Sequence, residues 1–190
     1  MKPITELIVH CTATRADWWA EKTTSAKVAE IRRWHMEPEP SGRGWKDIGY
    51  HYLIDRDGSI AIGRNIAITG AHVKGHNEGT VGISLFGGYG SSETDEFAEH
   101  FTAAQDRALR GLIAELRSRF GAVKISGHNE YAAKACPGFD VREWFAAGTN
   151  LTSGVAPKPQ LTRPYLGPKP RLDWFSWIRK IIAAIFGARK

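Results

Sequence analysis

Cysteine is scarce in this chain. Two in 190 residues, Cys11 and Cys136, leave room for one disulfide at most, and such a bridge is open in principle. The setting of Cys136, described below, favours a metal site instead. Long apolar runs are also missing. No stretch of about 18 uncharged apolar residues exists, so no ordinary membrane span is expected. The amino terminus, Met1-Lys2-Pro3-Ile4-Thr5-Glu6, has no secretory apolar region, because Glu6 interrupts it. No internal repeat is visible. A basic surplus is absent from most of the chain. The formal net charge is +6, yet residues 1–156 carry 18 Lys and Arg against 19 Asp and Glu. Residues 157–190 carry eight (Lys158, Arg163, Lys169, Arg171, Arg179, Lys180, Arg189, Lys190) against Asp173 alone. A neutral body argues against nucleic acid as a partner, since a nucleic-acid surface needs its own basic stripe.

What is present fits a globular domain. Hydrophobic residues make up 42% and charged residues 24%, enough to bury a core. The length suits one domain plus an appendage, and a monomer is expected. Seven Trp are many; core packing explains some, and a carbohydrate or membrane surface could explain others. Ile4 to His10 reads as a buried strand centred on Leu7-Ile8-Val9. Thr24 or Ser25 can cap a helix to about Met36, with Val28, Ile31 and His35 on one face. Residues 50–54 form a second strand, and Asp57-Gly58 turns it into a hairpin with residues 59–62. Val81 to Phe86 is a fourth strand. Thr102 and Gln105 make a capping box for a helix carrying Leu109, Leu112, Ile113, Leu116 and Phe120, which Gly121 ends. A short strand at 123–126 and a short helix at 141–146 follow. Interspersed strands and helices predict an α/β fold, a single domain with a central mixed sheet flanked by helices. The expected division is a domain over 1–147, a proline-rich linker over 148–172 and a basic amphipathic helix over 173–190.

Three side chains suggest chemistry. His10 ends the first strand, His128 follows the 123–126 strand, and Cys136 comes eight residues later before Pro137-Gly138. Strand ends share a sheet edge, so the three can converge. Two imidazoles and a thiolate suit zinc, and three protein ligands leave a fourth position open, as catalytic sites do. Cys11 is not expected to be a fourth ligand, because strand neighbours face opposite sides. Taken singly, each of the three is unremarkable for a buried or hydrogen-bonded side chain. The specificity lies in the motifs around them.

Those motifs are Ile8-Val9-His10-Cys11-Thr12-Ala13-Thr14, Gly44 to Tyr52, Gly70 to Asn77 running on to Val81–Gly88, and His128 to Asp140. In this order they resemble the phage-lysozyme type of N-acetylmuramoyl-L-alanine amidase, a family related to the peptidoglycan recognition proteins. The resemblance covers about residues 4–146. It implies a zinc ion held by His10, His128 and Cys136, a catalytic tyrosine at Tyr50 and a catalytic lysine at Lys134. It implies hydrolysis of the bond between N-acetylmuramic acid and L-alanine in peptidoglycan, as in an endolysin. Trp45, His51, His72 and Asn77 are candidate substrate contacts. Glu130 is not assigned a role by the resemblance. The alternative reading is a peptidoglycan-binding module without catalysis. Synthesis in the cytoplasm of a bacterial host and action on the wall in the periplasm are expected.

The tail stands outside the resemblance. On a helical wheel over 174–186 the apolar residues, Trp174, Trp177, Ile178 and Ile181 among them, cover a broad arc opposite Ser176, Arg179, Lys180 and Ala183. This pattern predicts contact with a bacterial membrane or lipopolysaccharide. A helix that docks its apolar face on the body is the alternative.

Overall fold

The structure is a computed structural model that describes residues 2–148 and 161–162. The tail helix expected at 173–190, and most of the linker expected at 148–172, lie outside the described residues.

The core strand, β1 (Glu6–Cys11), is apolar on both faces, as a strand covered from both sides must be. It lies between β4 (Thr80–Leu85) and β5 (Lys124–Gly127) and is parallel to both. On the far side of β4, β2 (Tyr52–Ile54) runs parallel to it and pairs antiparallel with β3 (Ile60–Ile62). At the outer edge the two-residue β6 (Leu161–Thr162) runs parallel to β3. The sheet order is β5-β1-β4-β2-β3-β6. The expected mixed sheet with flanking helices is therefore present.

Strand alternation sorts the two faces. Leu7, Val9 and Cys11 join Val81, Ile83 and Leu85 on the larger core, which α3 (Ala103–Phe120) covers with Leu109, Leu112, Ile113 and Leu116. The Thr102–Gln105 capping box starts α3 as expected, and Gly121, at φ 85°, ends it. Gln105 is buried and donates to the carbonyls of Ile54 and Phe86, fastening α3 to the sheet. On the opposite face Val28 and Ile31 of α1 (Thr24–Met36) pack on Ile48, Leu53, Ala61 and Phe86. The N-cap of α1 is Thr23, which accepts from Ala26 N–H, rather than Thr24 or Ser25. Thr24 turns inward, where its hydroxyl donates to Asp55 at 2.8 Å. Three short elements were not foreseen: α2 (Phe97–His100), a 3-10 turn at His128–Glu130 and the strand β6. The last helix among the described residues, α4 (Val141–Gly148), packs on β5.

Candidate metal centre

Parallel strands end at a common edge, where ligand sites of open α/β sheets sit. The register makes this concrete. Val9 of β1 pairs with Gly127 of β5, so the next residue on each chain, His10 and His128, come side by side. Their Nδ1 atoms are 3.2 Å apart. Cys136 arrives from the loop after the 3-10 turn, and its carbonyl accepts from Asn129 N–H at 2.8 Å, which ties the loop back beside His128. Its Sγ lies 3.8 Å from His10 Nδ1. The donor atoms of His10, His128 and Cys136 all fall within 4.8 Å of one another, and among the described residues this group could hold a metal ion.

The electrostatics keep the two imidazoles available as ligands. Burial pushes the His10 imidazole well below its usual range, helped by His72 and His128. Burial also lowers His128, with Lys134 contributing. Both rings are therefore neutral near pH 7, with a lone pair to offer. The neighbouring Cys11 side chain, with burial second, pushes the Cys136 thiol well up, and the charge of Lys134 opposes this. A thiolate here needs a cation beside it. The Cys11 backbone N–H also donates to Cys136 Sγ at 3.2 Å. Cys11 itself is packed in the larger core and is not one of the three clustered donors, although its side chain lies near enough to Cys136 to interact with it.

The other predicted residues fall into two groups. Tyr50 lies beside the cluster, its ring centroid 5.3 Å from that of His10. Burial, then the charges of Cys136 and Cys11, raises its phenol above the ordinary value. Ser84 is near enough to pull the other way, yet its buried hydroxyl makes no well-formed hydrogen bond. Lys134 is exposed, and its charge reaches His10, His128 and Cys136. Trp45 is half-buried against His35, with ring centroids 4.8 Å apart.

His51, His72 and Asn77 have internal tasks instead. His51 is 1% exposed; its Nδ1 accepts from Gly82 N–H and its Nε2 donates to the Ile68 carbonyl, both at 3.0 Å. No ring nitrogen is left for a ligand. Asn77 Oδ1 accepts from the backbone of His72 (2.7 Å) and Val73 (2.9 Å), closing the loop that carries His72. His72 is buried and lies 3.0 Å from His10 Nε2. Glu130 accepts from Gly127 N–H and pairs with Arg142, which leaves it as part of the 3-10 turn. His35 was read only as part of the apolar face of α1. Its ring packs on Tyr50 (5.4 Å), and its Nδ1 accepts from Gly49 N–H. The one signal for the His72 neighbourhood was Gly82, a glycine inside a strand, which marks a close approach.

At the parallel edge of an α/β sheet, then, lies a cluster of two imidazoles and a thiol that could hold a metal ion, with Tyr50 packed beside it and the charge of Lys134 within reach. The family model described as N-acetylmuramoyl-L-alanine amidase matches residues 1–139, and the chain belongs to that family and is an amidase. The chain is 40% identical over 148 residues to the endolysin of Klebsiella phage KP32, covering 78% of this chain and 89% of the relative. Among solved structures it resembles the N-acetylmuramoyl-L-alanine amidase LysC from Clostridium intestinale, with a TM-score of 0.57, 26% identity, and 77% and 85% of the two chains covered. It also resembles bumblebee PGRP-SA, with a TM-score of 0.61, 27% identity, and 80% and 84% covered. Among the described residues, no helix is long and apolar enough to cross a membrane.

Proposed function

We propose that this chain hydrolyses the amide between N-acetylmuramic acid and L-alanine in bacterial peptidoglycan, with zinc as its metal and wall lysis as the outcome. The observation that carries the zinc assignment is the spacing of the donors. A tetrahedral zinc puts its N···N edges at about 3.3 Å and its N···S edges at about 3.6 Å, given ordinary Zn–N and Zn–S bonds. Two of the three edges fit: His10 to His128 is 3.2 Å and His10 to Cys136 is 3.8 Å, while all three donors lie within 4.8 Å of one another. Three protein donors of this softness suit zinc and leave one corner open. When bound there, zinc supplies Lewis acidity that activates water and polarises a carbonyl.

The chain's own groups supply the rest. Tyr50, with its phenol raised by burial, keeps its proton at neutral pH. It is suited to orient the attacking water or the developing oxyanion as a hydrogen-bond donor. Amide hydrolysis develops negative charge on the carbonyl oxygen. Lys134, whose charge already reaches the three clustered side chains, stabilises that charge. His10 and His128 stay neutral through burial, so protons do not compete for their lone pairs near pH 7. Trp45, at the half-buried rim beside His35, is the candidate for stacking on sugar or stem peptide.

The KP32 relative is named an endolysin, which supports the lytic reading. Products decide the matter. The purified chain should release new stem-peptide amines from peptidoglycan without new reducing sugar ends. Chelation should stop this and zinc should restore it. Binding to the wall without any release would leave a recognition module, and new reducing ends would mean a glycosidase.

A further inference from the structure

A metal-binding imidazole needs a proton on one ring nitrogen and a lone pair on the other, and the lone pair must face the metal. At His10 the choice is imposed from inside the protein. Thr80 Oγ1 lies 2.8 Å from the His76 carbonyl and 3.1 Å from that of Asn77. Carbonyls only accept, so the hydroxyl proton goes to one of them and Oγ1 is left as an acceptor. Facing it at 3.3 Å is His72 Nε2, which must carry the proton. His72 Nδ1 is then bare. It lies 3.0 Å from His10 Nε2, so His10 donates from Nε2. What remains on His10 is an unprotonated Nδ1, the atom aimed at His128 and Cys136.

We propose that Thr80 and His72 form a relay that sets the tautomer of His10 before any metal arrives. Both are positioning residues. The backbone carbonyls of residues 76 and 77 anchor one end, and the lone pair of His10 Nδ1 is the other. An imidazole transmits this constraint because it accepts at one nitrogen and donates at the other. A carboxylate in its place would add an unpaired charge to a buried site. The fold clears space for the ring. A Cβ at position 82 would lie 2.6 Å from the His72 ring, and one at position 70 would lie 2.5 Å from it. Glycine stands at both. The His72 ring meets His10 edge-on, with centroids 5.0 Å apart and planes at 83°. The inference deepens the zinc reading above and rests on it for the identity of the metal, though not for the tautomer.

Nitrogen-15 NMR of the histidine rings in the full-length chain, stripped of metal by a chelator at neutral pH, reads the tautomers directly. His10 and His72 are each expected as a single form protonated on Nε2. A His10 protonated on Nδ1, or an even mixture, overturns the relay. Zinc affinity by competition with a chromogenic chelator gives a second readout. His72→Leu should weaken zinc by about 10–100-fold, the usual effect of losing an outer partner. His72→Asn, whose oxygen can replace Nδ1 as acceptor, should recover most of that. Thr80→Val should weaken zinc less than His72→Leu and broaden the His72 tautomer distribution. Unchanged affinity in a folded His72→Leu chain overturns the proposal. Single Nε2–H tautomers in a wild-type chain that takes up no zinc would support the relay and sink the metal assignment. Tight zinc with an unset His10 tautomer would sink the relay alone.

Discussion

Tyr50 and Cys136 both neighbour His10 but fail differently when changed. Tyr50→Phe keeps the ring that packs on His10 and His35 and removes only the hydroxyl. Zinc content should be unchanged, while kcat should fall by about 10²–10³, the scale for losing one positioned donor. Steady-state hydrolysis of a muropeptide, beside metal analysis of the same sample, checks both halves. Cys136→Ser replaces a soft thiolate with a neutral, harder hydroxyl. Its zinc affinity should drop by more than the roughly 100-fold upper range of an outer partner, and stoichiometric metal retained through dialysis would contradict the ligand assignment. At this scale the sequence was informative about the cluster, because order and motif context single out His10, His128 and Cys136. It offered His51, His72 and Asn77 as substrate contacts, whereas the structure gives them internal hydrogen bonds. Each has the residue type of a substrate contact, and only the packing shows both ring nitrogens of His51 and His72 and the Oδ1 of Asn77 engaged within the protein.

Helix α1 is fastened by a buried ion pair. Lys27 Nζ donates to both Asp55 oxygens at 2.9 and 3.0 Å, and the Thr24 hydroxyl adds a third contact. Both charged side chains are almost fully covered, at 7% and 5%. Asp55→Ala leaves a buried ammonium without a partner and should destabilise the fold by about 3–5 kcal/mol. A shift in the urea midpoint with unchanged slope measures it; a loss under about 1 kcal/mol would show that water reaches Lys27. The elements themselves were legible wherever periodicity or a cap marked them. The Thr102–Gln105 box and the apolar stripe of α3 located that helix almost to the residue. Neighbouring hydroxyls misled at α1, where Thr23 caps and Thr24 serves Asp55. The four residues of α2 and the two of β6 are too few to carry a period, and the pairing of β6 with β3 is a contact about 100 positions distant in sequence, which no local pattern reveals.

Over the whole molecule, five buried or half-buried histidines share one sign of shift. Burial is the leading cause at each. His35 is lowered to about 4 and His72 to about 3, and His10, His51 and His128 move the same way. Well above pH 6.5 these groups are neutral in both folded and unfolded chains and stability does not depend on them. Below it the unfolded chain takes up protons first, so stability falls as pH drops toward the folded values. The ceiling is about 1.4 kcal/mol per pH unit for each group. Denaturant titrations of the metal-stripped chain should show this loss between pH 6.5 and 4, and a flat profile would contradict the burial argument. The basic tail is proposed, on composition alone, to hold the enzyme at an anionic membrane surface. Removing residues 157–190 should abolish binding to anionic liposomes and leave hydrolysis of soluble muropeptides intact; equal liposome binding by both chains would end that proposal.

If one zinc ion sits among His10, His128 and Cys136, metal analysis of the full chain as purified will show it. One zinc per chain is expected, removed by chelation together with the amidase activity and restored with it. Full peptidoglycan hydrolysis by a chain shown to carry no metal would contradict that placement.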